Sequence, residues 1–371
     1  VSDQPTAASE ERQVEESAAG RAWREWPPYL GIVALYTATV LGGLALTDEM
    51  SALGLVLFED PGNVGNVGVF AVLVLVTTGI MVLAFRYEVG DLLVRAFLLG
   101  SAGVLTATAF VAVTGIGSIA SEGAAMGLPA DPVSGALAAG TAVVLWVYPE
   151  WYVNDLAAVV FGAAAIPMLG LGFGPFPVVV LLVLWAGYDA YAVYVSGHMQ
   201  ELAAGLGDLR APIVFIVPHS LSYSLRDEGL DLADSEDEDA GDESADDAPA
   251  DGSVDDVPAD GSADEVPADG SDDGMHNVAL LGLGDALIPG MLAVSAGEFL
   301  DAPTVVPALN ANLPALGALV GGLVGMGGLL YLVHRVEGAH AGLPPLNAGV
   351  LGGYLAGAVA AGIPVTAALG L

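Results

Sequence analysis

Apolar residues in this chain come in long unbroken runs, not in the short alternations of half-buried helices or strands. A run of ~20 such residues crosses a bilayer as a helix. Runs of that kind fall near residues 29–47, 67–85, 97–119, 133–149, 155–173, 175–197, 277–297, 313–334 and 344–368. The fourth is short, and the fifth and sixth are split only by Gly-Phe-Gly-Pro-Phe-Pro at 172–177. The pattern predicts an all-α membrane protein, a polytopic bundle of nine transmembrane helices, with eight as the alternative count.

Polar stretches divide the rest. Residues 1–28 are mixed in charge, lack the charged-then-apolar pattern of a signal peptide, and read as a disordered tail. Helices one to six occupy 29–200, a long loop occupies 201–276, and helices seven to nine occupy 277–371. Within the loop, 227–274 is almost all Asp, Glu, Ala, Gly, Ser and Pro. APADGSVDD, VPADGSADE and VPADGSDDG recur there at a nine-residue period marked by Pro249, Pro258 and Pro267. Three polar repeats cannot bury a core, so this reads as a solvated, disordered linker.

Composition sharpens the picture. The chain of 371 residues is 54% hydrophobic, with a mean hydropathy of +0.66, beyond what soluble domains show. Its net charge of −36 arises from 44 acids against eight bases, all of them arginine. Dense carboxylates without lysine imply a cytoplasm of very high salt, as in a halophilic archaeon, because ~1 M salt shrinks the Debye length to about 3 Å. An acidic surface excludes nucleic acid as a partner. The absence of cysteine excludes disulfides and thiolate metal sites. His198, His219, His276, His334 and His340 lie near predicted membrane edges in no metal-ligand spacing, so neither a metal nor another cofactor is expected.

The arginines set an orientation. Arg12, Arg21 and Arg24 precede the first span, Arg86 and Arg95 flank the second connection, Arg210 and Arg226 lie in the sixth, and Arg335 lies in the eighth. With nine spans all eight fall on the side of the N-terminus, which the positive-inside rule makes cytoplasmic. The acidic loop is then cytoplasmic and the C-terminus external.

Two carboxylates stand inside the apolar runs. Asp189 lies nine residues before His198 in the sixth span, and Asp285 lies nine residues after His276 in the seventh. At 1.5 Å per helical residue both sit roughly 13 Å from the same face. Intramembrane acids are costly and usually functional. Two that share a site do not both ionise cheaply, so one is charged and takes a proton from water while the other donates to a carbonyl oxygen. Gly282 and Gly284 remove side chains beside Asp285 and would let another backbone approach. Pro289 withholds the donor that the Asp285 carbonyl would otherwise receive.

At these residues the chain resembles the GxGD intramembrane aspartyl proteases, the presenilin and signal peptide peptidase group. Tyr188-Asp189 is similar to that family's YD motif, and Gly282-Leu283-Gly284-Asp285 to its GLGD motif. The resemblance implies a multi-pass endopeptidase of the cell membrane that hydrolyses peptide bonds inside transmembrane segments. Asp189 and Asp285 would be catalytic, and Tyr188, Gly282, Leu283 and Gly284 would shape the site. A third motif, PAL, opens the family's last span. It occurs literally at Pro307-Ala308-Leu309 and Pro314-Ala315-Leu316, but both follow Asp285 too closely for a complete eighth span to intervene. Pro344-Pro345-Leu346 stands at the expected place as a variant and would border substrate. The derived orientation resembles presenilins, whereas GLGDALIPG looks more like signal peptide peptidases.

Two further readings remain. Residues 209–224 contain Ile-Val-Phe-Ile-Val between Pro212 and Pro218, a β-prone run that resembles the part of presenilins that pairs with substrate; an interfacial anchor is the alternative. A proton- or sodium-coupled transporter would also keep paired acids at a broken helix, but no internal repeat joins the two halves of this chain.

Overall fold

The computed structural model describes residues 7–87, 90–122, 127–196, 214–220, 222–225, 278–335 and 341–370. The acidic linker and its repeats lie outside the described residues, as do His198, His276 and His340. The helices are α1 (Ala7–Ala45), α2 (Thr47–Ala52), α3 (Gly65–Arg86), α4 (Gly90–Thr114), α5 (Pro132–Val147), α6 (Trp151–Gly170) and α7 (Pro175–Tyr191). A π-helical turn, Ala192–Ser196, extends α7. After strands β1 (Val214–Pro218) and β2 (Val278–Gly282) come α8 (Leu283–Phe299), strands β3 (Thr304–Val306) and β4 (Ala311–Asn312), then α9 (Leu313–Arg335), α10 (Leu343–Ala360) and α11 (Val365–Ala368).

This is an all-α, multi-pass membrane protein. Six described segments are long and apolar enough to cross a bilayer: Trp26–Ala45, Gly65–Ala84, Leu92–Thr114, Trp151–Gly170, Pro175–Tyr194 and Leu313–Leu332. The other three predicted runs correspond to shorter helices: α5 has 16 residues, α8 has 17 and α10 has 18. Helix α1 begins at Ala7, well inside the segment expected to be disordered. Its Ala, Glu and Arg residues favour helix, and continuity with a span removes the cost of nucleation.

The seventh run departs most from expectation. Residues 278–282 form a strand, not a helical turn, and pair antiparallel with β1, Phe215 opposite Leu281 and Val217 opposite Ala279. A short apolar run is helix or strand by periodicity alone, and a β-branched partner decides between them.

Small residues set the packing. A Cβ added at Gly43 or at Gly290 would fall 2.7 Å and 2.5 Å from Ile166 side-chain atoms, so α1 and α8 both close on α6. Ile166, Val294, Met291 and Ala164 are buried in this centre. Helices α9 and α10 run antiparallel with backbones in contact: Gly321 faces the carbonyl oxygen of Gly349, and Gly317 that of Gly353. Bilayer lipid is as apolar as leucine, so close van der Waals packing drives such pairing. At the start of α9, the buried Asn312 accepts from the Ala315 N–H at 2.9 Å and donates to the Ala296 carbonyl at 2.7 Å. Helix α3 lies at the periphery, with most of its apolar surface not buried inside the protein.

Candidate active site

Asp189 is in the last turn of α7, where the helix loosens into its π-helical extension. Asp285 is in the first turn of α8, three residues after β2 ends. The strand shortens the helical path assumed from sequence, so Asp285 sits at a helix N-terminus and not nine helical residues along it. The two carboxylates are close enough to interact electrostatically.

The third wall comes from the start of α10. The backbone N–H of Leu343 donates to the Asp189 carboxylate at 2.9 Å. Two residues earlier in the chain the Ala341 N–H reaches the Tyr194 hydroxyl at 3.4 Å. Pro344 and Pro345 follow Leu343 directly, and Leu346 is fully buried. Pro345 is held from behind, because a Cβ on Gly325 of α9 would fall 2.7 Å from its carbonyl oxygen. Both literal PAL sequences lie elsewhere. Pro307-Ala308-Leu309 is a 3-10 turn between β3 and β4, and Pro314-Ala315-Leu316 opens α9 at the end opposite Arg335.

The glycines combine the expected role with another. The β1 backbone comes alongside Gly282 at Val214, its partner in the strand register. A Cβ at Gly282 would meet the carboxylate of Asp285 itself at 3.3 Å, while one at Gly284 would enter open space. Gly282 therefore gives the Asp285 side chain room to fold back, and Gly284 leaves the approach beside it clear. Leu283 between them is buried, near Gly162 of α6, and pins the turn to the core. Tyr188 is 69% exposed, so its ring faces outward from the bundle.

Two buried polar residues escaped the sequence reading. Asn347, one position beyond the Pro-Pro-Leu segment, donates to the Leu182 carbonyl at 2.9 Å and ties α10 to α7 below Asp189. Asp155 in α6 is 5% exposed and accepts the Ile216 N–H at 2.8 Å. Asp155 had opened the predicted fifth span, where an acid passes for an ordinary membrane boundary. Among the described residues no cluster of His, Asp and Glu could hold a metal ion. A cavity of about 440 Å³ between α4, α5 and α6 is lined by residues such as Thr106, Val144 and Leu156 and carries no ionisable group.

Acids held at facing helix ends inside a multi-pass bundle define a class, the membrane proteases that work through paired aspartates. The chain belongs to the signal-peptide peptidase, presenilin aspartyl protease family, whose model matches residues 33–363. It is similar to a solved presenilin family intramembrane aspartate protease in a C222 crystal form, at 25% identity and a TM-score of 0.56 over 90% of this chain and 100% of that one. In a P2 crystal form of a presenilin family intramembrane aspartate protease the values are 25%, 0.55, 91% and 100%. No curated protein matches the chain. The protein is an intramembrane aspartic endopeptidase, embedded in the bilayer and acting on membrane-spanning substrates.

Proposed function

We propose that Asp189 and Asp285 are the acid–base pair of this endopeptidase. One observation carries the assignment: three segments far apart in sequence meet at one point, Leu343 on Asp189 and Asp189 beside Asp285. One carboxylate activates a water between them, and the other protonates the scissile carbonyl oxygen. Gly282, Leu283 and Gly284 shape the turn that presents Asp285, Tyr188 precedes its partner, and Pro344, Pro345 and Leu346 border the substrate. Cleavage of a tagged transmembrane peptide by the purified, reconstituted protein tests the assignment; a folded preparation that leaves it intact refutes it.

A transmembrane helix must unwind before its peptide bonds are open to water. In this reading the unwound segment lies extended along the β1–β2 sheet, whose second strand runs straight into Asp285. The chain crosses the cell membrane nine times, with the N-terminus and the 201–276 loop cytoplasmic and the C-terminus external. The arginine distribution supports that orientation. The helices α8 and α10 then count as short spans beside a thinned or water-filled site, and α5 as a short span packed on α4.

Replacing Leu346 with Gly empties a fully buried position next to the bond on Asp189. Truncation of a buried Leu costs about 2–5 kcal/mol where the site cannot collapse. Leu346→Gly should therefore lower cleavage and weaken binding of a transition-state mimic, while Leu316→Gly, half-buried at the far end of α9, should act on stability alone. In this cysteine-free chain, cysteines at 285 and 346 should crosslink and cysteines at 285 and 316 should not. The reverse pattern would move the third wall to the literal motif.

The acidic linker calls for a separate test. Deleting residues 227–274 while keeping enough chain to join β1 to β2 should change peptide cleavage by less than about threefold, since loop closure depends only weakly on length. Loss of activity in a preparation with unchanged thermal stability would assign the linker a direct role.

A further inference from the structure

We infer that Asp155 is a positioning residue that fixes the substrate-pairing sheet by occupying the outer edge of β1, leaving β2 as the strand to which substrate adds. The inference rests on the strand-addition reading above. Its basis is the alternation of backbone directions in an antiparallel pair. The Ile216 N–H points to Asp155 and therefore away from β2. Its partner across the sheet is Leu280, so Ile216–Leu280 is a pair whose backbone groups face outward on both strands. The same parity turns Val214 and Pro218 outward on β1, and Val278 and Gly282 outward on β2.

The two outer edges are not equivalent. On β1, Pro218 has no N–H to offer, and the Ile216 donor is already taken by a buried carboxylate. The first turn of α6 extends this grip along the following chain. Trp151 Nε1 donates to the Tyr223 carbonyl at 3.2 Å, the Ser224 hydroxyl donates to Glu150 at 3.0 Å, and Leu225 is fully buried. Val217 packs on the opposite side against α1, within 2.7 Å of where a Gly31 side chain would begin. β1 is thus docked on two helices. On β2, Leu280 is 38% exposed, and its outward N–H and C=O lie along the strand that leads through Gly282 to Asp285. An extended polypeptide pairing there is delivered to the proposed acid pair in a fixed register.

Four variants test this in the full-length, reconstituted protein with a tagged transmembrane substrate. Asp155→Ala removes the acceptor and should raise KM roughly tenfold with kcat changed less than threefold, and should spread cleavage over neighbouring bonds as read by product masses. Asp155→Asn keeps an acceptor oxygen in place and should restore KM to within about threefold and a single main cleavage site. Leu280→Pro deletes an N–H that β1 does not use and should raise KM. Ala279→Pro, whose N–H faces Val217, should instead disrupt the sheet and lower thermal stability. If Leu280→Pro raises KM while Asp155→Ala matches the wild type in KM and cleavage pattern, the role given to Asp155 is wrong and strand addition stands. If Leu280→Pro leaves KM unchanged, strand addition at β2 itself fails. Should Asp155→Asn be as damaging as Asp155→Ala, the charge and not the accepted hydrogen bond matters, and the inference is overturned.

Discussion

Asp189→Asn and Asp285→Asn will each reduce cleavage of a transmembrane peptide by at least about 10²–10⁴-fold, the range that a positioned acid or base contributes. An amide in place of either carboxyl keeps the shape and removes the proton chemistry. The double variant should be no slower than the worse single one, because the two groups act as one unit and their losses do not add. Binding provides the control. Asp189 receives the Leu343 N–H through an oxygen that Asn also carries, so Asp189→Asn should retain the fold and the α7–α10 contact. Thermal stability and affinity for the uncleaved peptide should therefore stay close to wild type while turnover disappears. Near-normal turnover by a stable Asp285→Asn preparation would remove the acid–base assignment.

Part of this architecture could be read from sequence because the bilayer permits so few solutions. An apolar run of about 20 residues has to satisfy its backbone internally, and helix is the simplest way to do so. Each of the nine runs accordingly contains a helix. The acids were legible for the complementary reason that Asp189 and Asp285 are expensive where they stand. What sequence did not settle were choices made by partners. Val278–Gly282 became strand because Val214–Pro218, at least 60 positions away, offered an edge to pair with. Asp155 gained its role from the same distant strand, since nothing local marks a carboxylate that accepts a backbone N–H from residue 216. The purpose of Gly282 and Gly284 was legible only in part for a related reason. Glycine signals that space is needed, but only the fold says whether a backbone, a carboxylate or open solvent fills it.

Glycine placement leads to the second large expected effect. Gly321→Val and Gly353→Val should each collapse both stability and activity, whereas Gly328→Val should do neither. Along α9, Gly317, Gly321 and Gly325 recur every four residues, and along α10 so do Gly349, Gly353 and Gly357. They face one another in antiparallel order. A Cβ at Gly321 would lie 2.1 Å from the Gly349 oxygen, and one at Gly353 would lie 2.1 Å from the Gly317 oxygen. Carbon–oxygen contacts at helix interfaces need about 3.3–3.6 Å, so the helices would have to separate by roughly 1 Å or more. Overpacking of this kind costs typically about 1–3 kcal/mol and more where rigid backbone is the obstacle. The consequence reaches the site because the same seam holds α10 by its first turn, where Gly325 backs Pro345 and Leu346 and where Leu343 bonds Asp189. Activity should fall further than stability, since a shift of 1 Å breaks a hydrogen bond before it unfolds a helix pair. Gly328 is exposed with nothing within 4 Å of an added Cβ, so valine there meets only lipid. Thermal inactivation midpoints in detergent, paired with cleavage rates below those midpoints, separate the two effects. Gly321→Val with a wild-type midpoint and rate would show that α9 and α10 are not packed backbone to backbone.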